Sequence, residues 1–318
     1  MKADNKGPEN SLTMDDFRIT PVSGEIHALD ALAATNPLGL LAELRGTWKG
    51  RGFNQIWRPF HGTQDRFLEL NETEEVLQFV EIPGDIPNRG LLQQDIELHG
   101  LTYLQKINDA NVKKNGKPAG IHIEPGIWIR IPATTNPSDP ETVARLANIP
   151  HGTTILAQGT AHGPINGAPT PIAPASIVPF TIAPPHTLIH FPEENLGTAT
   201  TFRTPHADIP HVTQAMVNNP NVVLTDALAG KHVKSFVVLK ISTIPLNPPS
   251  SGGGTSNIAF LQGAGGGPNA DGARVDAIFW IEELENGKHL LQYTQTVLLN
   301  FNGLSWPHVS VATLEKQR

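Results

Sequence analysis

Hydrophobic and polar residues alternate along much of this chain with the period of two that is typical of β-strands. The clearest case is the segment 120–131, in which five isoleucines fall on one face. The opposite face carries His122, Glu124, Gly126, Trp128 and Arg130. Such a strand fits a closed or two-layered sheet, and its second face could line a ligand chamber.

The same alternation predicts strands in two separate parts of the chain. They cover 46–57, 65–79, 91–107, 121–131, 153–159, 234–244, 275–283, 290–301 and 309–314. Short helices are predicted at 37–44, after the capping residue Asn36, and at 138–147, where Pro140 suits a first turn. Helical turns are expected at 211–218 and 222–229. The pattern as a whole predicts an all-β meander.

Prolines set apart the segment 161–232, which contains 11 of them. This is too many for paired central strands and predicts a long excursion on the surface or over an opening. Residues 1–36 are expected to form a flexible N-terminal arm, and 245–274 a mobile Gly-rich loop. We predict one domain over 37–316, with 161–232 as an insertion.

Composition narrows the function classes. The net charge is −7 and the 23 basic residues are scattered, which argues against nucleic acid as a partner. No apolar run reaches the roughly 18 residues needed to cross a bilayer, and the N-terminus lacks a signal-peptide layout. We expect a cytoplasmic protein without a membrane partner. Since Cys is absent, His and carboxylates remain as the strong metal ligands.

Two motifs near the ends of the strand-rich region suggest a site. Gly46, Trp48, Gly50 and Gly52 share one strand face, where missing side chains permit the close approach of another backbone, or simply an ordinary bulge. His308 follows Trp306 and Pro307 and opens the last strand. From there its side chain could enter a chamber mouth, although a surface position is the simpler interpretation.

Other polar groups leave alternatives open. His122 and Glu124 fit cross-strand hydrogen bonding, and a cupin-like metal site would need a second His that is missing. Arg203, His206 and His211 lie close together in the insertion. They are either solvated or, if the insertion covers a pocket, a base and a charge stabiliser. The usual hydrolase, zinc-protease and phosphate-loop motifs are absent from the sequence.

Three ordered segments together resemble the nitrobindin-like family of heme-binding, fatty-acid-binding-protein-like β-barrels. They are GTWKGRG, YLQKINDANVKKNGKPAGIHIEPGIWIR with the following HGTTILAQG, and WPHVSVATLEK. The resemblance covers 37–160 and 233–316 and leaves 161–232 as an insertion. It implies an antiparallel up-and-down β-barrel, lipocalin-like or fatty-acid-binding-protein-like, that holds heme b.

The resemblance also implies residue roles. It makes His308 the axial ligand of the heme iron, while Trp48, Gly50, Gly52 and Trp306 would contact the cofactor. It implies a structural strand motif of His122, Glu124, Gly126 and Arg130. The chain departs from the family where Asn54, Ile56 and Trp57 replace a Gly and a Tyr-Pro pair.

These expectations favour a heme b protein that acts on small oxidants or diatomics. Its reaction would be nitric oxide or peroxynitrite chemistry, as in a peroxynitrite isomerase, or peroxidase-like turnover. His206, His211 and Arg203 are then candidates for the catalytic groups on the distal side of the heme. The alternatives are a heme-free carrier of a fatty-acid-like apolar ligand, and a scaffold whose barrel is filled by side chains.

Overall fold

The computed structural model describes residues 36–59, 65–90, 94–136, 138–149, 154–169, 172–243 and 273–318, and strands make up most of these residues. The expected N-terminal arm and Gly-rich loop lie almost entirely outside these residues. The strands are β1 Gly46–Arg58, β2 Phe67–Glu81, β3 Ile86–Asn88, β4 Ile96–Lys114, β5 Lys117–Ile131, β6 Thr134–Thr135, β7 Ser138–Asp139, β8 Thr142–Asn148, β9 Thr154–Asn166, β10 Phe180–Thr181, β11 Val233–Ser242, β12 Arg274–Leu284, β13 His289–Phe301 and β14 Leu304–Lys316.

Ten of these strands form a closed antiparallel β-barrel. Each pairs with the next in the order β1, β2, β4, β5, β8, β9, β11, β12, β13 and β14, and β14 pairs with β1 to close the ring. The short strands β3 and β10 extend the edges of β4 and β14, and β6 pairs with β7. The prediction of an all-β up-and-down barrel is confirmed.

Glycines of β1 allow the ring to close tightly. A Cβ atom on Gly50 would lie 2.1 Å from the carbonyl oxygen of Thr313, and one on Gly52 would lie 2.3 Å from that of Val311. Both distances are far below van der Waals contact, so any larger residue would push β1 and β14 apart. The close approach that the glycine pattern predicts is therefore made to the last strand.

The helices are short. The segment predicted as a helix at 37–44 forms a 3-10 helix over Gly39–Leu44, and the turns expected in the insertion form α1 Gln214–Asn218 and α2 Val222–Ala227. No helix of the described ranges has the length and apolar character needed to cross a membrane.

The predicted helix at 138–147 is wrong. This segment contains β7 and β8, and β8 pairs with β5 on one side and β9 on the other. The capping residues and Pro140 imitate a helix start, but the hydrogen bonds of two neighbouring strands decide the structure of the residues that follow. As a result Val143 and Arg145 point into the barrel, where both are buried.

Apolar side chains fill one end of the barrel interior. The 3-10 helix inserts Leu41 and Leu44 there, and the indole Nε1 of Trp48 donates to the Leu44 carbonyl at 2.7 Å. Phe79, Leu101, Trp128, Leu239, Val275, Phe279, Ile281, Leu291 and Leu314 belong to the same cluster. We call this the closed end of the barrel.

The insertion packs against the outside of the barrel wall. Strand β9 runs to Asn166, so the excursion begins after that residue. Side chains on the outer face of the barrel form a second core with the insertion, consisting of Phe53, Trp57, Phe236, Val238, Trp280, Val309 and Val311 with Ile177, Ile209, Val212, Val217 and Leu224. Of the two expected positions, surface or opening, the described residues therefore occupy the surface.

A buried carboxylate lies on this covered face. Glu282 of β12 is completely buried, and neither of its oxygens has a hydrogen-bond partner among the residues that the structure describes. Burial raises the pKa of Glu282 to about 8, against an opposing effect of the Lys231 charge. The group is therefore neutral at pH 7.

Candidate functional site

A cavity of about 340 Å³ occupies the barrel interior at the end opposite the 3-10 helix. This volume lies within the roughly 300–1,000 Å³ range of small-molecule sites. Aliphatic groups of the lining are Ile56, Ile107, Ile121, Ile149, Val297 and Leu299. Its polar groups are Asn54, Arg58, Glu69, Asn71, Gln105, His122, Tyr293, Gln295, His308 and Ser310. The presence of this cavity argues against the scaffold with a filled barrel.

His308 reaches the cavity from the closing strand β14. Alternation along the strand directs His308 and Ser310 inward, while Val309 and Val311 face the insertion. The Nε2 atom of His308 lies 2.6 Å from Oδ1 of Asn54, which also accepts a hydrogen bond from the Ser310 hydroxyl at 2.8 Å. Asn54, one of the departures from the nitrobindin-like pattern, therefore holds the predicted iron ligand.

His122 approaches the cavity from the other side. Its strand, β5, is separated from β14 by three strands in one direction around the ring and by five in the other. The Nε2 atom of His122 lies 3.2 Å from Oε2 of Glu124, which is completely buried. The two histidines thus line nearly opposite walls of one cavity.

An ionic layer lies next to the cavity and separates it from the closed end. Glu124 accepts hydrogen bonds from Arg145 at 2.5 Å and from the Tyr103 hydroxyl. Arg145 also donates to the Tyr103 oxygen at 2.8 Å and to Oε1 of Gln295 at 2.7 Å. All the members of this layer are buried. Gln295 therefore connects the layer to the cavity lining.

The charge of Glu124 follows from these contacts. Burial alone would raise its pKa, but the Arg145 charge and the contact with His122 outweigh burial and hold the pKa at about 2. Glu124 is therefore ionised at neutral pH. A carboxylate only accepts hydrogen bonds, so the Nε2 of His122 carries the proton that lies between them.

A second buried carboxylate completes the layer. Glu75 accepts hydrogen bonds from Tyr293 at 2.7 Å, Thr73 at 2.8 Å and Gln105 at 3.3 Å. Burial raises the pKa of Glu75 despite these donors. Since the Arg145 charge is engaged by Glu124, the floor of the cavity does not favour an additional anion.

Arg130, which the sequence motif groups with Glu124, has different partners. It donates to the Pro37 carbonyl at 2.9 Å and to Glu141 at 2.5 Å, and so ties β5 to the start of the 3-10 helix. The arginine that lies beside Glu124 is Arg145. The sequence reasoning missed Arg145 because that residue falls within the segment wrongly predicted as a helix.

Several residues expected to contact a cofactor lie elsewhere. Trp48 belongs to the closed-end core, and Gly50 and Gly52 abut the backbone of β14. Trp306 stacks on Phe301 and contacts aromatic residues of the second core. None of these four belongs to the cavity lining formed by the described residues. Of the predicted cofactor contacts, the structure brings His308 to the cavity.

The predicted distal groups lie in the insertion, away from the cavity lining. Arg203 is buried and donates to four backbone carbonyls, those of Glu193, Asn195, Leu196 and Thr198. His206 donates through Nε2 to the Val212 carbonyl at 3.1 Å, and His211 is exposed. Arg203 thus stabilises a turn of the insertion, and the structure does not bring these three residues to His308.

The polar lining itself was missed by sequence reasoning. Asn71, Gln105, Tyr293 and Gln295 all point inward from strands that the alternation predicts correctly. The available signal was a polar residue at an inward position, such as Gln105 between Tyr103 and Ile107. Such residues could have been grouped only with the strand order in hand.

The residues present fit a heme b group in three respects. His308 offers an imidazole whose Nε2 is held by an acceptor, the usual arrangement of a metal-binding histidine. The cavity also has aliphatic walls and an arginine, Arg58, at its rim. In the described part of the chain no three His, Asp or Glu side chains gather as a metal site. Iron at His308 would therefore depend on the macrocycle for its other ligands.

Comparison with known proteins gives no closer assignment. No family model matches the chain, and no curated protein or solved structure shows significant similarity to it. The closed ten-strand antiparallel barrel is compatible with a fatty-acid-binding-protein-like or nitrobindin-like fold.

Proposed function

We propose that this protein binds heme b in the barrel cavity with His308 as a ligand of its iron, and that it acts on small oxidants or diatomics. The observation that carries the proposal is the position of His308 on the inner face of the closing strand, at the cavity and hydrogen-bonded to Asn54. A neutral imidazole is a suitable ligand for heme iron.

Different parts of the cavity lining would contact different parts of the heme. Aliphatic side chains such as Ile56, Ile107 and Val297 would bury the macrocycle and exclude water. Arg58 at the rim, which pairs with Glu69 at 2.7 Å, would meet a propionate. When bound, heme b would supply an iron centre for small oxidants or diatomic molecules.

The acid–base role falls on His122 in place of Arg203, His206 and His211. Because Nε2 of His122 donates to Glu124, its lone pair is on Nδ1 when the ring is neutral. His122 would take a proton from one oxygen of hydrogen peroxide in the cavity and return it to the other oxygen. Glu124 would stabilise the transient imidazolium, since it is itself ionised.

Hemin titration tests the ligand assignment. Wild type is expected to develop a Soret band at one equivalent, and His308→Ala to lose it. Added imidazole should restore the band in His308→Ala by entering the space that the side chain leaves. His162→Ala, a substitution of an exposed histidine on β9, serves as the matched control. An identical spectrum in wild type and His308→Ala would overturn the assignment.

Turnover of hydrogen peroxide or peroxynitrite tests the acid–base role. General acid–base groups typically contribute about 10²–10⁴-fold. His122→Gln should therefore lower turnover at least about 10²-fold while hemin content stays equal to that of wild type. The His162→Gln variant should match wild type. Equal turnover in all three proteins would remove His122 from the reaction.

The heme-free carrier remains the second candidate because the aliphatic walls also suit an uncharged apolar ligand. The departure from the family pattern at Asn54 and Trp57, which would favour such a carrier, has another explanation. Asn54 contacts His308, and the Trp57 indole donates to the Ile177 carbonyl of the insertion at 2.8 Å. The floor of the cavity, where Glu124 engages the Arg145 charge, does not favour a fatty-acid carboxylate. Native mass spectrometry of the purified chain distinguishes bound heme from bound lipid.

A further inference from the structure

A chain of polar side chains crosses four neighbouring strands on the inner wall of the barrel. His308 of β14 contacts Asn54 of β1 at 2.6 Å, Asn54 donates through Nδ2 to Oδ1 of Asn71 on β2 at 3.1 Å, and Asn71 donates to Oδ2 of Asp109 on β4 at 2.7 Å. We call these four residues the amide belt. Its two asparagines connect Asp109 at one end to His308 at the other, so the orientation of each amide depends on the next.

Asp109, at 2.7 Å, is the nearer of two carboxylates that accept from the Asn71 amide, and Glu69 at 3.4 Å is the other. Together they fix the direction of every hydrogen bond in the belt. The Oδ1 atom of Asp109 accepts from the backbone N–H groups of Asn111 and Val112 at 2.8 and 2.9 Å, and its Oδ2 accepts from Asn71. A carboxylate cannot donate, so Asn71 must turn its NH₂ group toward Asp109 and its oxygen toward Asn54. Asn54 must then turn its own NH₂ group toward Asn71.

The oxygen of Asn54 consequently faces His308 and Ser310 and can only accept from them. We infer that Asn54, oriented by Asn71 and Asp109, is a positioning residue that keeps the proton of neutral His308 on Nε2 and the lone pair on Nδ1. The significance of this inference for iron binding rests on the proposed function. The tautomer itself is a property of the protein without heme.

The tautomer of His308 matters for how its ring would bind a metal. A neutral imidazole coordinates through the nitrogen that carries the lone pair, while the other nitrogen donates to an acceptor. With the belt intact, Asn54 accepts the proton on Nε2 and the lone pair of the neutral ring lies on Nδ1. This gives a role to a residue at which the sequence departs from the nitrobindin-like pattern.

The tautomer can be read directly by long-range ¹H–¹⁵N correlation NMR. The full chain is labelled with ¹⁵N-histidine and studied without hemin at about pH 8, where an unperturbed imidazole is neutral. The signals of His308 are assigned from their loss in His308→Gln. Wild type is expected to show a protonated Nε2, and a protonated Nδ1 would overturn the inference.

Asp109→Asn gives the sharpest test because it changes only the carboxylate three hydrogen bonds away from His308. The new amide would turn its NH₂ group to Asn71, both asparagines would rotate, and Asn54 would present its NH₂ group to His308. The proton should then move to Nδ1. An unchanged tautomer in Asp109→Asn would show that the belt does not set it.

Substitutions at Asn54 separate positioning from folding. Asn54→Asp keeps an acceptor for His308 and should preserve the Nε2 proton, whereas Asn54→Leu should give a mixture of both tautomers. Asn148→Leu, at an exposed end of β8, should leave the wild-type signals unchanged. If Asn54→Leu also retains a single Nε2–H form, Asn54 is not the positioning residue.

Hemin titration of the same variants keeps the two proposals distinct. Loss of such an orienting partner typically weakens metal binding about 10–100-fold, so we expect that range for Asn54→Leu. If the tautomer responds as expected but wild type does not bind hemin, the belt stands and the heme proposal fails. If hemin binds through His308 but the tautomer is unchanged in the belt variants, the heme proposal stands and the present inference fails.

Discussion

Arg145 and Glu124 form an ion pair at 2.5 Å between the neighbouring strands β8 and β5, and both side chains are almost completely buried. Glu124 contacts His122 of the cavity, and Arg145 contacts Gln295 of the same lining. The pair therefore belongs both to the barrel interior and to the candidate site. Its removal should affect stability strongly.

Arg145→Met should destabilise the protein by about 3–5 kcal/mol, because it leaves the Glu124 carboxylate buried without its cation. Urea unfolding at pH 7 measures the loss. Arg51→Met is the matched control, since Arg51 is highly exposed and lies 3.5 Å from Glu74. Exposed pairs contribute about 0–1 kcal/mol. Equal losses in the two variants would contradict the ionic layer.

Acid should weaken the fold through the same carboxylate. The pKa of Glu124 is about 2 in the folded protein, below its ordinary value of 4.5. The stability it contributes, roughly 3 kcal/mol, is complete above pH 4.5 and is lost as the pH falls toward 2. Urea unfolding between pH 2 and 7 measures this slope. In Glu124→Gln the part of the slope due to this group should vanish.

Glu282 should make the free energy of unfolding depend on pH in the opposite direction. Its pKa is about 8 in the folded protein, above the ordinary 4.5, so the unfolded chain releases this proton first as the pH rises. Stability should fall between pH 4.5 and 8, by roughly 3 kcal/mol at pH 7, and Glu282→Gln should flatten that limb. Glu283→Gln changes the next carboxylate, which is partly exposed and paired with Lys234 at 2.7 Å, and should leave the limb unchanged. Parallel curves for Glu282→Gln and wild type would refute this assignment.

Gly50→Ala should weaken barrel closure. The added methyl group would overlap the Thr313 carbonyl at 2.1 Å, and such overpacking typically costs about 1–3 kcal/mol, with a value near the upper limit expected here. Gly120→Ala is the control because its Cβ would lie 3.6 Å from Asn108, an ordinary contact. Thermal unfolding compares the two. A tolerated Gly50→Ala would mean that β1 and β14 adjust freely.

Trp57→Ala should release the insertion from the wall. The indole donates to Ile177 and packs against Phe191 and Trp306, so its loss should cost about 3–5 kcal/mol. Hydrogen exchange should rise selectively across 172–232. Trp48→Ala, which removes a tryptophan from the inner core, should destabilise the barrel without this selectivity. Uniform exchange in both variants would argue against separate docking of the insertion.

Alternation was sufficient to predict the faces of β5 but not every detail of the strand. Glu124 and Trp128 point inward and are buried, as the pattern predicts. Ile121 instead lines the cavity because the register between β4 and β5 shifts at the adjacent residues Ile107 and Asn108. A bulge of this kind depends on the partner strand, which the alternation of one segment does not reveal.

The candidate site required the strand order. The position of His308 was suggested by the sequence, but its partner Asn54 lies 254 residues away. The insertion illustrates the same limit, since its prolines exclude central strands without indicating which wall it covers. Trp57, at an outward position of β1, was the available signal that something covers that wall.

Side chains alternate along β14, so this single strand separates the cavity from the second core under the insertion. His308 and Ser310 touch the cavity while Val309, between them, is buried under the insertion. Any shift of the insertion that displaces Val309 must therefore also move the backbone of its neighbours, His308 and Ser310. The insertion is thus mechanically connected to the cavity although it contributes no side chain to the described lining. A spectroscopic probe at His308 can therefore detect whether the insertion is packed on the barrel wall.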